Sequence, residues 1–394
     1  MSLAVYLHWP YCLSKCPYCD FNSHVRAGVS YDRWLQALPE AITAQRQWLD
    51  AQAYGRPLVS SIFFGGGTPS LMPPELVARL IANVEREFIL APDAEITLEA
   101  NPNSVEVEKF KGFRDAGVNR ISIGVQSFDD AALSFLGRGH SQAEARQAID
   151  LAQKIFSRVS FDLIYGLPNQ AVADWEAQLQ AALAIGTDHL SLYQLTIEQG
   201  TAFATAHGRG DIVLPPSDYA ADLYEATEAI TTAAGLPAYE VSNYARPGQE
   251  SRHNLIYWNY GDYLGIGPGA HGRVTLHNRQ TGESQKFATR QEKLPEAWLN
   301  SDLHDTGGHC EVTAIAPPEK LTELMMMGLR LTRGINRQRF QSEIGRDVTE
   351  VFAPARLAAL VTEGDLVIEP DRFNLTLQGR LRLNLILEYL LGAS

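Results

Sequence analysis

The stretch His8-Trp9-Pro10-Tyr11-Cys12-Leu13-Ser14-Lys15-Cys16-Pro17-Tyr18-Cys19-Asp20-Phe21 holds three of the four cysteines of the chain, in the pattern Cys-x3-Cys-x2-Cys. It directly follows an apolar run, Leu3–His8, that predicts a first β-strand. A tetrahedral zinc site needs a fourth ligand, and only His24 or the remote Cys310 offers one. Three thiolates on a short loop instead suit three corners of a [4Fe–4S] cube and leave one iron open. The spacing therefore predicts an iron–sulfur cluster bound by Cys12, Cys16 and Cys19.

Composition narrows the class of protein further. The chain has 394 residues, of which 45% are hydrophobic and 20% are charged, as is typical of a soluble globular protein. Its net charge of −13 argues against a nucleic-acid partner, because phosphate binding needs clustered Lys and Arg. The N-terminus lacks a basic targeting region and no segment is apolar enough to span a bilayer. We therefore expect a cytoplasmic protein, in which Cys310, within the polar loop of residues 305–310, is an incidental free thiol.

The first 245 residues alternate short apolar runs with longer amphipathic segments. The predicted strands are Leu3–His8, Ser60–Phe64, Glu95–Glu99, Arg120–Gly124, Ser160–Ile164, His189–Gln194 and Tyr239–Ser242. The predicted helices are Tyr31–Leu49, Pro74–Phe88, Val105–Ala116, Gln142–Ile155, Trp175–Ala184 and Tyr219–Ala234. This alternation indicates an α/β fold with parallel strands joined by crossover helices. Six or seven repeats favour a full or partial (βα) barrel, with a flat doubly wound sheet as the alternative.

The remaining chain changes character twice. Residues 246–310 are rich in Gly, Asn, Tyr, His and Arg and are expected to form ordered loop. After Pro317, the predicted elements are three helices, a hairpin at residues 366–375 and a last helix, Gln378–Leu391. The three helices are Lys320–Leu331, Arg337–Ile344 and Val351–Leu360. Helices, a hairpin and a helix predict a small winged-helix-like α+β domain. The predicted units are thus 1–245, 246–310 and 311–394.

Polar residues and glycines stand where the predicted strands end. Gly66, Gly67 and Thr68 follow the second strand, and consecutive glycines let a ligand approach the backbone closely. Glu99, Gln126 and Asp162 end or follow later strands, and Arg138 lies in the loop Leu136–His140. Each alone is most simply a capping or surface group, but the carboxyl ends of barrel strands are where a site is built.

Together these residues resemble the radical SAM superfamily, in which S-adenosylmethionine (SAM) binds the open iron of the cluster. The resemblance implies that an electron from the cluster cleaves SAM to a 5′-deoxyadenosyl radical, while the protein orients the cofactors. It also implies that Arg138 can pair with the SAM carboxylate. The SAM contacts that it implies are Tyr6, Gly66, Gly67, Thr68, Glu99, Gln126, Arg138 and Asp162.

Residues 240–272 carry a further motif, His253-Asn254-x-x-Tyr257-Trp258. With it, essentially the whole chain resembles the HemW family of haem chaperones, which act in porphyrin metabolism. The resemblance implies haem bound at His253, with the two aromatic rings able to stack on the macrocycle. Arginines able to meet the haem propionates are Arg246, Arg252 and Arg273. By chemistry alone, a hydrogen-bonded histidine beside two core aromatics is the more ordinary explanation of the motif.

The same resemblance implies partners and leaves one alternative. The implied partners are haem-requiring respiratory proteins as clients and a possible homodimer, with at most peripheral membrane association. The alternative is an oxygen-independent coproporphyrinogen III dehydrogenase, a radical SAM enzyme of haem synthesis. Those enzymes carry a further cysteine where this chain has Phe21. They also have an N-terminal extension before the cluster, whereas here the cluster motif begins at Cys12. Both differences favour the chaperone, and whether the chain is an enzyme is left open.

Overall fold

A computed structural model of the chain describes residues 2–26, 28–277, 284–303 and 308–392. Within these residues the strands are, in chain order, β1 (Ser2–Trp9), β2 (Tyr11–Cys12), β3 (His24–Val25), β4 (Leu58–Gly66), β5 (Ile89–Ala100), β6 (Arg120–Gln126), β7 (Arg158–Tyr165), β8 (His189–Gln194), β9 (Ala238–Glu240), β10 (Asn243–Ala245), β11 (Asp262–Ile266), β12 (His271–His277), β13 (Ser284–Gln291), β14 (His309–Ala314), β15 (Ile335–Asn336), β16 (Leu366–Ile368) and β17 (Arg372–Leu375).

Twelve of these strands form one sheet, in the order β14-β13-β12-β11-β1-β4-β5-β6-β7-β8-β10-β9. The seven strands from β11 to β8 run parallel, and the strands added at either edge are antiparallel. No pairing within the described part of the chain joins the edge strands β9 and β14 to each other. The α/β prediction is therefore confirmed in its partial-barrel form, with an open sheet.

Helices connect and cover the strands because each carries an apolar stripe. In Pro74–Glu87, proline occupies the first turn, and Leu76, Val77, Leu80 and Val84 are buried on one side, as a 3.6-residue period requires. The helices of the first 300 residues are Asp32–Ala51, Pro74–Glu87, Ser104–Val107, Phe110–Asp115, Asp130–Phe135, Gln142–Ile155, Val172–Leu183, Ala202–Gly208, Ser217–Ala233, Arg252–Trp258 and Pro295–Leu299, with a 3₁₀ turn at Pro69–Leu71. Most of their buried side chains share one core with the sheet, whereas Phe203 belongs to a smaller cluster with Ile164 and Leu167.

Three predictions for this part of the chain are wrong. The predicted helix Val105–Ala116 is divided into two helices, Ser104–Val107 and Phe110–Asp115. The segment Tyr239–Ser242 is not a parallel strand: β9 and β10 form a tight antiparallel hairpin at the edge, because only two residues separate them. Residues 246–310 are not loop: they contain the helix Arg252–Trp258 and β11 to β14. Strand β11 supplies the seventh parallel strand, on the far side of β1. Cys310 lies exposed in β14, whereas residues 305–307 of its predicted loop lie outside the described residues.

The C-terminal part has a core of its own. Its helices are Pro317–Gly328, Arg337–Ile344, Val348–Val351, Pro354–Thr362, Leu377–Leu381 and Leu383–Leu391. Strands β15, β17 and β16 form a three-stranded sheet that includes the predicted hairpin. Pro354 separates two helices where one was predicted, since proline tolerates only the first helical turn. This is the winged-helix-like order of elements that the sequence predicts. The division into three units stays a prediction.

No helix among the described residues is long and apolar enough to cross a membrane.

Candidate functional site

The carboxyl ends of the parallel strands surround a cavity of about 730 Å³. A cavity of that volume is ample for a small-molecule cofactor. Ten of the predicted site residues line it: Cys12, Cys16, Cys19, Gly66, Gly67, Thr68, Glu99, Gln126, Arg138 and Asp162. The fold thus brings together residues from the first 162 positions at one end of the sheet. Tyr6 and His253 are not among the lining residues.

The cysteine loop is held in place by backbone and side-chain bonds. It leaves β1 and is closed by β2 and β3, which pair in parallel. The Cys19 N–H donates to the Cys16 carbonyl at 3.1 Å, forming the turn between the last two cysteines. The Asn22 amide then donates to the carbonyls of Pro268 and Lys293, both at 2.9 Å. All three thiols are free and partly exposed to the cavity, as ligands of a cluster must be.

The glycine turn packs against this loop so closely that no side chain would fit. Gly66 has φ +109°, and a Cβ there would lie 2.6 Å from the ring of His8. A Cβ on Gly67 would lie 2.6 Å from the Tyr11 carbonyl oxygen. The Gly67 N–H donates to the Trp9 carbonyl at 2.7 Å, and the Thr68 hydroxyl donates to Cys12 Sγ at 3.4 Å. The glycines are therefore needed to bring β4 against the cysteine loop.

Arg138 connects the loop to the strand ends. Its guanidinium donates to Cys16 Sγ at 3.3 Å and to the Gly124 carbonyl at 2.9 Å, and it contacts the Asn101 side chain. Its Nε is buried and has no hydrogen-bond acceptor among the described residues. A buried guanidinium N–H is costly to leave unpaired. Beside three thiols, this donor fits an anionic group such as the carboxylate of SAM.

Two carboxyl groups face the same cavity. Burial, together with the nearby Asp162 carboxylate, raises the pKa of Glu99 to about 8, although the Gly66 N–H opposes the shift. Burial also raises the pKa of Asp162 to about 6. A bound cation favours the ionised form of both groups. These carboxyl groups therefore fit a ligand that carries positive charge and hydroxyl groups, as SAM does.

Gln126 ends β6 in a left-handed conformation, with φ +70°. Such a backbone is unfavourable for a residue other than glycine and is found most often at functional sites. The side chain lines the cavity beside Arg138. Among the predicted SAM contacts, Gln126 is the residue whose backbone conformation most clearly indicates a functional site.

His253 lies in the interior, away from the cavity. Its Nδ1 is 2.9 Å from Ser61 Oγ and its Nε2 is 2.7 Å from the Tyr257 hydroxyl, so both ring nitrogens are hydrogen-bonded. The ring stacks on Phe63 at 4.9 Å between centroids. Burial lowers the pKa of His253 to about 3, which keeps the imidazole neutral.

The other residues of the predicted haem segment are also engaged. Arg330, from the C-terminal domain, lies 4.6 Å above the Trp258 ring. The three candidate propionate partners each form an ion pair: Arg246 with Asp188, Arg252 with Asp93 and Arg273 with Glu323. The helix Arg252–Trp258 therefore lies between the sheet and the C-terminal domain. The side chains of Arg252, His253 and Tyr257 are bonded, whereas the buried Trp258 Nε1 has no hydrogen-bond partner among the described residues.

Tyr6 lies between the cysteine loop and His253. Its hydroxyl is 3.1 Å from His8 Nδ1, and His8 Nε2 is 2.9 Å from the Asn22 carbonyl oxygen in the loop. Its ring centroid is 6.4 Å from that of His253. Tyr6 is thus adjacent to both predicted sites.

Sequence reasoning missed three interior residues that support these sites. Ser61 contacts His253 from β4, and the buried Glu95 accepts the N–H groups of Arg252 and His253, both at 3.2 Å. Arg120 is 3% exposed and its charge acts on Glu95, Glu99 and Asp162. In the sequence, Glu95 and Arg120 stand out only as charged residues at the starts of two predicted strands. That position is a weak signal of function by itself.

Known proteins resemble this chain over most of its length. The chain matches the radical SAM superfamily over residues 6–181 and the HemN C-terminal domain over residues 315–382. The heme chaperone HemW of Escherichia coli is 39% identical over 392 residues, covering 99% of this chain and 98% of that protein. The mouse mitochondrial radical S-adenosyl methionine domain-containing protein 1 is 41% identical over 369 residues, or 93% of this chain and 82% of that one.

Among solved structures, the E. coli coproporphyrinogen III oxidase HemN, a radical SAM enzyme, shares the fold. Its TM-score is 0.76 at 21% identity, and the match covers 98% of this chain and 89% of that one. At this identity the likeness concerns the fold alone. It confirms the radical SAM architecture, including the C-terminal domain.

Proposed function

Because the chain belongs to the HemW family of the radical SAM superfamily, we propose that it is a haem chaperone, which binds haem and passes it to haem-requiring proteins. The observation that supports this most directly is the motif helix Arg252–Trp258. It carries a neutral, buried His253, and the neutral imidazole is the form that ligates iron. Haem-requiring respiratory enzymes as clients, and a homodimer, belong to the same proposal.

The cavity at the strand ends would hold the [4Fe–4S] cluster and SAM. Cys12, Cys16 and Cys19 would ligate the cluster, which supplies one-electron chemistry when bound. Arg138 would pair its free Nε with the SAM carboxylate, and Glu99 and Asp162 would meet its cationic and hydroxyl groups. Gly66, Gly67, Thr68 and Gln126 would shape the pocket around it. Tyr6, which does not line the cavity, would act from behind it through its contact with His8. In a chaperone this cofactor site supports haem transfer rather than porphyrinogen decarboxylation.

Binding of haem at His253 requires a rearrangement of the motif helix. Both imidazole nitrogens are hydrogen-bonded, so either Ser61 or Tyr257 must release the ring before it can ligate iron. The ring of Trp258 must likewise leave Arg330 to stack on a macrocycle. Losing one such hydrogen bond costs about 1 kcal/mol, which the free energy of iron ligation can offset.

The alternative is a coproporphyrinogen III dehydrogenase, supported by the complete cofactor cavity and by the shared fold with HemN. Against it stands Phe21, which is 59% exposed beside the cavity at the position of the further cysteine of those enzymes.

Two measurements test the proposal. Anaerobic incubation of the cluster-loaded protein with coproporphyrinogen III, SAM and a reductant should yield no protoporphyrinogen; its formation would favour the enzyme. Haem titration followed by absorbance should show binding that His253→Ala weakens at least tenfold. His207→Ala, which alters an exposed histidine of another helix, should bind haem like wild type. Equal binding by all three proteins would remove His253 from the haem site.

A further inference from the structure

Two of the three loop thiols receive a hydrogen bond from outside the cysteine loop. The Thr68 hydroxyl, at the end of the glycine turn, donates to Cys12 Sγ at 3.4 Å. The Arg138 guanidinium donates to Cys16 Sγ at 3.3 Å. A cysteine that ligates a metal is a thiolate and can only accept hydrogen bonds, so both donors would keep their direction when a cluster is bound.

One amide joins these two donors. Asn101 directly follows β5, and its Oδ1 accepts a hydrogen bond from the Arg138 guanidinium. Its Nδ2 donates to Thr68 Oγ1 at 3.3 Å, which leaves the hydroxyl hydrogen of Thr68 free to point at Cys12. A guanidinium has donors only, so the amide atom that faces Arg138 must be the oxygen. Asn101, which is not among the predicted site residues, thus orients both donors.

A buried carboxyl group fixes the amide in turn. Glu106 is fully buried, and it accepts the backbone N–H of Asn101 at 2.8 Å and its Nδ2 at 3.4 Å. The same carboxyl group accepts from Asn103 Nδ2 at 2.5 Å and from the Ser70 hydroxyl. Asn101 cannot turn away without removing donors from this buried group, which is costly. Its amide is therefore held in the orientation that serves the two donors.

The third thiol has a hydroxyl beside it within the loop itself. Ser23 Oγ lies 4.0 Å from Cys19 Sγ, a long contact for a hydrogen bond to sulfur, and Ser23 is 7% exposed. Once Cys19 is a thiolate, only the hydroxyl can donate. Each of the three cysteines is thus paired with a side-chain donor, and Asn101 orients two of these donors.

We propose that Asn101 directs Thr68 and Arg138 onto the cluster thiolates and thereby raises the reduction potential of the cluster. Reduction from the 2+ to the 1+ state takes one electron from a one-electron reductant and neither forms nor breaks a bond. The added negative charge is shared by the thiolates, so hydrogen bonds to sulfur stabilise the reduced state. Asn101 touches no sulfur and is a positioning residue. The inference rests on the cluster assignment within the proposed function and does not involve haem.

An anaerobic redox titration followed by electron paramagnetic resonance measures this potential. Cluster-loaded protein with about four irons per chain is titrated with dithionite in the absence of SAM. Asn101→Ala should shift the ratio of oxidised to reduced cluster about tenfold towards the oxidised form, a fall of about 59 mV for one electron. Asn103→Ala is the matched control, because it removes another bond to Glu106 without touching either donor, and it should leave the potential unchanged. An unchanged or raised potential in Asn101→Ala would overturn the proposal.

Variants of Thr68 separate positioning from a general loosening of the site. Thr68→Val removes the hydroxyl and should shift the same ratio about fivefold, the effect of one ordinary hydrogen bond, whereas Thr68→Ser should restore the wild-type potential. In the Asn101→Ala background, Thr68→Val should add less than a twofold shift, because the hydroxyl is no longer directed at the sulfur. Full additivity would contradict the positioning role. Thr196→Val is the control, since this cavity hydroxyl donates to Glu198 at 2.9 Å.

The remaining measurements keep the separate assignments apart. Ser23→Ala should lower the potential less than Thr68→Val does, because its contact is longer, and its shift should add to that of Asn101→Ala. If Asn101→Ala does not hold the cluster, the smaller change Asn101→Ser carries the same expectation. Wild-type protein that takes up no [4Fe–4S] cluster would contradict the cluster assignment and this proposal with it. Protein that binds no haem would contradict the chaperone function alone.

Discussion

Ser61 Oγ lies 2.9 Å from Nδ1 of His253, so a hydroxyl on β4 holds the imidazole that is predicted to bind haem. The Tyr257 hydroxyl is hydrogen-bonded to Nε2, so His253 has no free ring nitrogen. The histidine of the motif is therefore placed against the sheet, and its release is part of any binding event. This relationship leads to the first prediction.

Ser61→Ala should bind haem more tightly than wild type. Without the hydroxyl, Nδ1 loses a hydrogen bond worth about 1 kcal/mol, so releasing the ring costs less and the haem Kd should fall about fivefold. Absorbance titration with haem measures this. Ser60→Ala, which alters an exposed hydroxyl bonded to Ser2, is the control and should leave the Kd unchanged. A weaker-binding Ser61→Ala protein would show that the hydroxyl supports the haem-bound state instead.

The three loop cysteines should each be required for the cluster, whereas the fourth should not. Anaerobically reconstituted wild type should contain about four irons per chain, and Cys16→Ala should lose them together with the visible absorbance of the cluster. Cys310→Ala is a natural control, because this thiol is exposed on β14. Zinc in place of iron, or full iron content in Cys16→Ala, would contradict the cluster assignment.

Glu99→Gln should stabilise the SAM-free protein at high pH. The folded protein raises the pKa of Glu99 from 4.5 to about 8, so the stability gained from its neutral form is complete below about pH 4.5 and is lost as pH rises to about 8. The amide cannot ionise, so at pH 8 it should add about 1–3 kcal/mol, a range reduced from the full pKa shift because the cavity admits water.

Melting temperatures at pH 5 and pH 8, with and without SAM, measure this effect. The gain of Glu99→Gln should be larger at pH 8, while its SAM affinity should fall about tenfold from loss of an ionic partner. The exposed Glu85→Gln serves as the control at both pH values. A variant that is equally stable and binds SAM normally would remove Glu99 from the SAM site.

Arg138→Lys should keep the cluster and weaken SAM binding. Lysine retains the charge but lacks the planar fork that reaches Cys16, Gly124 and a further acceptor at once. We expect iron content within error of wild type and a SAM Kd raised about tenfold or more, as measured by equilibrium dialysis. Arg146→Lys, on an exposed helix position, should change neither quantity. Unaltered SAM binding would mean that the unpaired Nε serves another acceptor.

Glu95→Gln should destabilise the fold strongly, by about 3–5 kcal/mol, because it leaves the Arg158 charge without its buried partner. The nearby Asp93→Asn breaks an exposed pair with Arg252 and should cost at most about 1 kcal/mol. Thermal unfolding of both variants provides the comparison. A small loss in Glu95→Gln would show that the motif helix is held mainly by its apolar contacts.

The sequence by itself predicted the cysteine loop, the longer strands and helices as far as β8, and ten residues that line the cavity, although it missed β2, β3 and the helix Asp130–Phe135. Local patterns were sufficient there, because cysteine spacing, glycine runs and alternating apolar segments act over a few residues. The strand β12 shows how such a signal can also be overlooked. Its Val274 and Leu276 alternate with less buried residues, although composition suggested loop.

Tertiary structure alone decided the rest. It placed β11 beside β1, with Leu3 opposite Asp262, and it set Ser61 against His253 and Glu95 against the motif helix. These contacts join residues far apart in the chain, and burial gives them their effect by excluding water from the charges and hydrogen bonds. A motif can thus indicate that a histidine is functional. Only the packing around that histidine determines which atoms bond its ring and which of those bonds must break before it binds a ligand.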